Sequence, residues 1–209
     1  MREETLWTCY AAAEMTFAGT QSTPHAPARV EHLDRERLLS EGVAEPVADD
    51  ATAFVEVLSG GPLLPGTEVR IVGDDGQLRG ERQIGEIAVR APWLFSGYFK
   101  DPETTAGVLR DGWYFSGDLG YLADGHLFIT GRKKDLIIIA GKNYYPQDIE
   151  RIVSDVPGIY AGRVVALGLD DPQLGTQKLI VLAEVSDPAL ENDAELAARV
   201  RSTLAADLE

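Results

Sequence analysis

The chain has 209 residues, 44% of them hydrophobic, enough to bury one large core or two smaller ones and too apolar for a disordered polymer. A formal net charge of −15 repels phosphate backbones and anionic lipid, which argues against nucleic acid and membrane surfaces as partners; a nucleotide ligand needs cations supplied locally, or a metal ion. Cys9, the single cysteine, excludes an internal disulfide and suits a reducing, cytoplasmic setting, the apolar runs are too short to cross a bilayer, and the opening MREETLWTC has no apolar signal core.

Residues 20–50 are polar and rich in Pro, Asp and Glu around a short helical candidate at Asp34–Ser40. They read as an inserted or covering segment, or a plain surface loop, rather than as core. From Thr67 the pattern becomes β: Val69 and Ile71 alternate with Glu68 and Arg70, and Gly73–Gly76 (GDDG) signals a turn. Ile87 and Val89 mark a second strand. Leu119–Leu122 and His126–Thr130 form a third unit, joined across Asp124-Gly125, a dipeptide that tolerates the positive φ of a tight hairpin.

The run Gly131-Arg132-Lys133-Lys134-Asp135 then interrupts the β pattern. Leu136–Ala140 is a buried-strand candidate, and Gly141-Lys142-Asn143 a turn. Pro146 opens a helix at a position where its missing N–H costs nothing; Ile149, Ile152, Val153 and Val156 make one apolar face, and Pro157-Gly158 ends it. Strand candidates follow at Arg163–Leu169 and Lys178–Val185. A last helix starts near Asp193, with Asn192 and Glu195 at capping-box spacing and Leu196, Val200 and Leu204 on one face. The expected fold class is therefore α+β: a mainly β part over 1–131 and a small α+β domain over 132–209, with the boundary at Gly131–Lys134.

Four segments carry chemistry: YAAAE at Tyr10–Glu14, GEIAVRAPWLFSGYFKDPETT at Gly85–Thr105, GWYFSGDLG at Gly112–Gly120, and GRKKDLIIIAGKNYYPQDIE at Gly131–Glu150. In order and spacing they resemble the second half of the acyl-adenylate-forming (AMP-binding) superfamily. Tyr145–Glu150 (YPQDIE) resembles the version in fatty acyl-AMP ligases, and Val30–Pro46 looks like the insertion that sets those ligases apart from acyl-CoA synthetases. The resemblance covers roughly Tyr10 to Val185. It implies the β-rich end of a large adenylating domain, followed by part of a small mobile domain.

The resemblance also implies an activity: ATP-dependent, Mg²⁺-dependent activation of a fatty acid to acyl-AMP, with an acyl carrier protein as partner. An acyl-CoA synthetase, or a non-catalytic nucleotide- or carrier-binding remnant, is the alternative. Asp118 resembles the aspartate that accepts both ribose hydroxyls, a role suited to an acceptor-only group with two oxygens. Arg132 resembles the arginine that reaches the same ribose with a rigid fork of donors. Lys134 falls at the hinge about which the small domain swings, and Glu14 resembles the glutamate that helps hold Mg²⁺. Tyr10 is placed near the adenine or acyl pocket, although Ala11 stands where the family usually has glycine.

Against these roles stand plainer ones: a strand end for Asp118, solvated charge for Arg132 and Lys134, and core packing for Tyr10 and Glu14. Trp113–Phe115 and Phe95–Phe99 read as packing residues, and His25, His32 and His126 lack metal-like spacing. A glycine-rich phosphate loop ending in Lys-Gly is not found, and Lys178 is the last lysine, so the family's C-terminal catalytic lysine is missing too. On the resemblance the chain is expected to be a truncated part of the enzyme, inactive by itself.

Overall fold

The computed structural model describes residues 7–48, 54–171, 174–190 and 193–208. It divides into two compact units, Met1–Lys134 and Asp135–Glu209. Both mix strands with a few helices, and among the described residues no helix is long and apolar enough to cross a membrane.

In the first unit, β1 (Cys9–Ala11) and β2 (Ala18–Gln21) pair antiparallel across a 3-10 turn at Ala13–Met15. A larger antiparallel sheet is built from β3 (Val30–Asp34), β4 (Phe54–Pro62), β5 (Glu68–Val72), β6 (Gly85–Arg90), β7 (Leu109–Arg110), β8 (Trp113–Ala123) and β9 (His126–Arg132). Its order is β3-β4-β9-β8-β6-β5, with β7 pairing β8 and the short helix α1 (Pro102–Val108) preceding β7. The alternating apolar residues meet in one cluster, where Ile71, Ile87, Val89 and Leu127 pack with Tyr10, Met15 and Tyr114. Asp124 (φ 49°) and Gly125 (φ 75°) both take left-handed backbone, the geometry a two-residue hairpin demands. Behind that turn Tyr121 and Phe128, paired across β8 and β9, stack at 4.8 Å with no solvent exposure.

Two features depart from the sequence expectation. Strand β4 carries a turn-like ending, Ser59-Gly60-Gly61-Pro62, that masks it. The glycines are there for close approach: a Cβ on Gly61 would lie 2.2 Å from the Gln21 backbone. Nor is the polar region a covering segment: β3 is the edge strand of the sheet, Leu33 and Leu38 are buried, and the helical piece is a π-helical turn at Arg37–Glu41. Its charges mislead because they are paired internally. Glu31, only 9% exposed, accepts from Arg29 (2.8 Å), Arg82 (3.0 Å) and the Tyr121 hydroxyl (2.8 Å), and Asp124 binds both arginines from outside.

In the second unit β10 (Ile137–Ile139) and β11 (Lys142–Tyr144) form a hairpin that turns through Ala140 (φ 51°) and Gly141 (φ 82°). The expected buried strand is thus shorter, and half-solvated, since Ile138 is 45% exposed. Its backbone is satisfied by side chains instead: Ile138 N–H donates to Gln177 Oε1, and Thr176 Oγ1 accepts from Ala140 N–H and donates to Ile138 O. Helix α2 (Pro146–Ser154) and helix α3 (Ala194–Leu208) pack on the inner face of the ribbon formed by β12 (Ile159–Asp171) and β13 (Thr176–Val185). Ile149, Val153, Val164, Ala166 and Leu204 lie at the centre of that core. Asn192 of the expected capping box lies outside the described residues; Asp193 supplies the cap, its Oδ1 accepting from Glu195 N–H at 2.7 Å.

Burial acts to raise the Glu31 pKa, but the hydrogen bonds from Arg82, Tyr121 and Arg29 outweigh it and hold the carboxyl below its ordinary value of 4.5. The stability this group contributes is therefore full above that value and is lost as pH falls through the lower folded value. Glu31→Ala is expected to cost about 2–3 kcal/mol at neutral pH, somewhat below the figure for a wholly buried pair because both arginines are partly solvated. Urea unfolding between pH 7 and 3 checks both statements: the variant should be less stable at pH 7 and lose less on acidification.

Candidate functional site

Strand β8 is distorted where its motif residues lie. Ala88 of β6 faces Phe115 and Glu86 faces Leu119, so the single residue Ile87 opposes three residues, Ser116, Gly117 and Asp118. Gly117 takes φ 75°, and the Ser116 hydroxyl donates to Ile87 O while accepting from Asp118 N–H. A bulge of this kind re-aims a side chain without ending the strand. Asp118 therefore neither ends β8 nor caps its turn; the strand runs on to Ala123.

The bulge brings Asp118 opposite Arg132, its partner across β9, and the guanidinium Nε ion-pairs with Oδ1 at 3.2 Å. The Tyr10 hydroxyl of β1 donates to the other oxygen, Oδ2, at 2.7 Å. Tyr10 is itself fixed by Thr20, whose Oγ1 accepts from Tyr10 N–H and donates to Gly60 O on β4. Burial pushes the Tyr10 phenol far above its ordinary range, and the adjacent Asp118 charge adds to the rise, so it remains a donor. Asp118 is 22% exposed and Arg132 50%, so the pair is reachable from solvent.

Glu14, in the 3-10 turn after β1, completes the group. Its Oε1 accepts from the Tyr98 hydroxyl at 2.7 Å, and Tyr114 interacts with the same carboxylate. Burial works to raise the Glu14 pKa, yet those hydroxyls, its own backbone N–H and the charge of Arg132 together hold it below the ordinary value. Tyr98 rises to about 12, chiefly through its bond to Glu14. Tyr10, Glu14, Asp118 and Arg132 thus lie in one neighbourhood of the first unit. Lys134, exposed in a 3-10 turn at the end of that unit, stands apart from it.

Sequence reasoning missed Tyr98 and Tyr114. Both sit in aromatic runs whose apolar character signals packing, and Tyr114 is indeed 5% exposed while its hydroxyl serves Glu14. Among the described residues no three His, Cys, Asp or Glu side chains group as a metal site.

No family model matches the chain. A Caulobacter vibrioides protein provisionally named an acyl-CoA synthetase is 36% identical over 198 residues, 94% of this chain and 34% of its own length. A solved structure from a study of fatty acyl-adenylate ligases from E. coli and L. pneumophila aligns with a TM-score of 0.87 and 32% identity, over 99% of this chain and 37% of its own. One described as McyG A-PCP complexed with phenylalanyl-adenylate aligns at 0.75 with 26% identity, over 99% of this chain and 33% of its own. The chain therefore spans about a third of the length of such relatives. It belongs to the acyl-adenylate-forming superfamily and matches the C-terminal part of its members. Its solved neighbours include fatty acyl-adenylate ligases and an adenylation domain, while its sequence relatives carry acyl-CoA ligase or synthetase names.

Gly120 lies just past the bulge, where β8 and β9 shift register, and a Cβ there would lie 2.3 Å from the Phe128 carbonyl oxygen, a backbone atom with nowhere to retreat. Gly120→Ala is expected to destabilise the first unit by about 2 kcal/mol and to disturb Asp118 and Arg132. Gly107→Ala, in open space on α1, should be neutral or stabilising by up to about 1 kcal/mol. Urea melts, with amide NMR shifts at Asp118 and Arg132, distinguish the two.

Proposed function

We propose that the polypeptide carrying this chain activates a fatty acid with ATP as its acyl-adenylate and passes the acyl group to the phosphopantetheine thiol of an acyl carrier protein. The observation that carries this reading is the Asp118 carboxylate, gripped by the Tyr10 hydroxyl and Arg132 yet open to solvent. One carboxylate oxygen accepts the Tyr10 hydroxyl, the other is ion-paired with Arg132, and both keep lone-pair capacity for a ligand. That suits the vicinal hydroxyls of a ribose. Arg132 adds positive charge where a very acidic chain has to receive a polyanion.

Glu14 fits a magnesium ligand by donor chemistry. It is held ionised, and magnesium takes one or two carboxylates and completes its shell with phosphate oxygens and water. When bound, Mg²⁺ neutralises the charge that grows on the phosphates as the carboxylate of the fatty acid approaches. The chain's own part is to orient the nucleotide through Asp118, Arg132 and Tyr10. Lys134, exposed at the last position of the first unit, is the proposed hinge, where one or two residues absorb the dihedral change of a domain swing. The likeness to the McyG A-PCP complex supports a carrier-bound acceptor, whereas the name of the Caulobacter relative supports CoA. Assaying acyl transfer to holo-carrier protein beside CoA discriminates between them.

The test is calorimetric titration of the chain with a non-hydrolysable acyl-adenylate analogue, repeated for Asp118→Ala and Arg132→Ala. Each loss is expected to weaken binding by roughly 10- to 100-fold, the worth of one charge-assisted hydrogen bond. Binding that neither substitution affects would remove the ribose site from these residues; no binding by the folded chain would mean that the chain does not hold the nucleotide by itself.

A further inference from the structure

The motif Gly85–Thr105 contributes no residue to the proposed reaction, yet its second half is built around Glu14. Tyr98 Oη donates to Glu14 Oε1 at 2.7 Å, and Phe95 N–H donates to the Glu14 carbonyl at 2.8 Å. The Phe95 ring then packs edge-on against both tyrosines that face the carboxylate, with centroids 5.0 Å from Tyr98 and 5.8 Å from Tyr114. Tyr98 is anchored in turn. Its N–H donates to Thr105 Oγ1, which donates to Asp101 O, and Asp101 Oδ1 caps α1 through Thr104 N–H. Gly97 makes this possible at φ 139°, where a Cβ would stand 2.8 Å from the Thr105 methyl.

Helix α1 fully buries none of its residues, although Phe95 and Val108 pack against the edge of the core. What this ordering fixes is the Tyr98 hydroxyl. We infer that Tyr98, with Tyr114 beside it, is a positioning residue that locks the Glu14 carboxylate in one orientation before a magnesium–nucleotide complex arrives. The inference rests on the reading of Glu14 as a magnesium ligand. A phenol that donates to one carboxylate oxygen leaves lone pairs on both oxygens for a cation, and orienting partners of this sort raise a ligand's affinity by limiting its rotamers. Tyr98→Phe removes the hydroxyl and keeps the ring against Phe95, which makes it a clean probe.

Mn²⁺ in place of Mg²⁺, titrated by electron paramagnetic resonance into the 209-residue chain with a non-hydrolysable ATP analogue, reads metal binding without turnover. Tyr98→Phe is expected to raise the half-saturating Mn²⁺ concentration about tenfold at an unchanged melting temperature, and Glu14→Gln to raise it further. Should Tyr98→Phe lower the melting temperature, Tyr114→Phe carries the same test. If Glu14→Gln weakens Mn²⁺–nucleotide binding while the tyrosine variants match the wild type, the positioning role is wrong and the Glu14 assignment survives. If Glu14→Gln also matches the wild type, or the wild type holds no Mn²⁺–nucleotide, the Glu14 assignment fails and the inference falls with it.

Discussion

A carboxylate on a β-strand keeps one direction only if donors converge on it, and Asp118 draws those donors from two strands far from each other in sequence. Tyr10 on β1 and Arg132 on β9 meet it because β8 bulges at Ser116–Asp118 and because β1 is tied through Thr20 to β4. Much of the first unit can be understood as scaffolding for that meeting. The register of β8 against β9 sets Asp118 opposite Arg132, Gly117 at φ 75° permits the bulge, Gly120 admits the close approach of β9, and the apolar cluster with Ile87 and Val89 holds β6 in place. A one-residue slip in this register would put Asp118 on the other face of the sheet, so the site and the core constrain each other.

Those parts of the fold that depend on local chemistry are legible from residues alone. Alternation marks β5 and β6, Asp-Gly marks the β8–β9 hairpin, and Pro146 with its 3.6-residue apolar stripe marks α2. The candidate site residues stand out for another reason: Tyr10, Glu14, Asp118 and Arg132 lie in motifs whose spacing resembles a known family. Long-range polar contacts are not legible. Glu31 meets Arg82 across 51 positions and Tyr121 across 90, and no periodicity announces a carboxylate whose partners lie that far off. The polar region from 20 to 50 therefore reads as a solvated loop although it supplies the sheet's edge strand. Tyr98 is hidden in the same way, since a phenol in an aromatic run signals burial and says nothing of where its hydroxyl points.

The two carboxylate-centred clusters of the first unit differ in exposure, and that difference sets the proposed site apart from a purely structural cluster. Glu31 is enclosed by two arginines and a tyrosine, saturated and almost out of water; such a cluster specifies a strand pairing and has no capacity left for a ligand. Asp118 has one tyrosine and one arginine and remains in contact with solvent. Each oxygen is partly satisfied, enough to orient the group and too little to occupy it.

The run Arg132-Lys133-Lys134 shows how an acidic chain spends a few cations. Arg132 turns toward Asp118 and lends its charge to Glu14. Lys133 is held by Asp74 at 2.8 Å and Glu86 at 3.3 Å, which raises its pKa and ties the end of β9 to the β5–β6 edge of the sheet. Lys134 is exposed at the point where the first unit stops. Three adjacent positive residues thus have three environments, so a basic run is better read residue by residue than as a patch. Among the described residues Arg132 is the cation paired with Asp118, which makes it harder to replace by lysine than their shared charge suggests: a compact ammonium on a flexible stem loses the rigid geometry that Nε supplies.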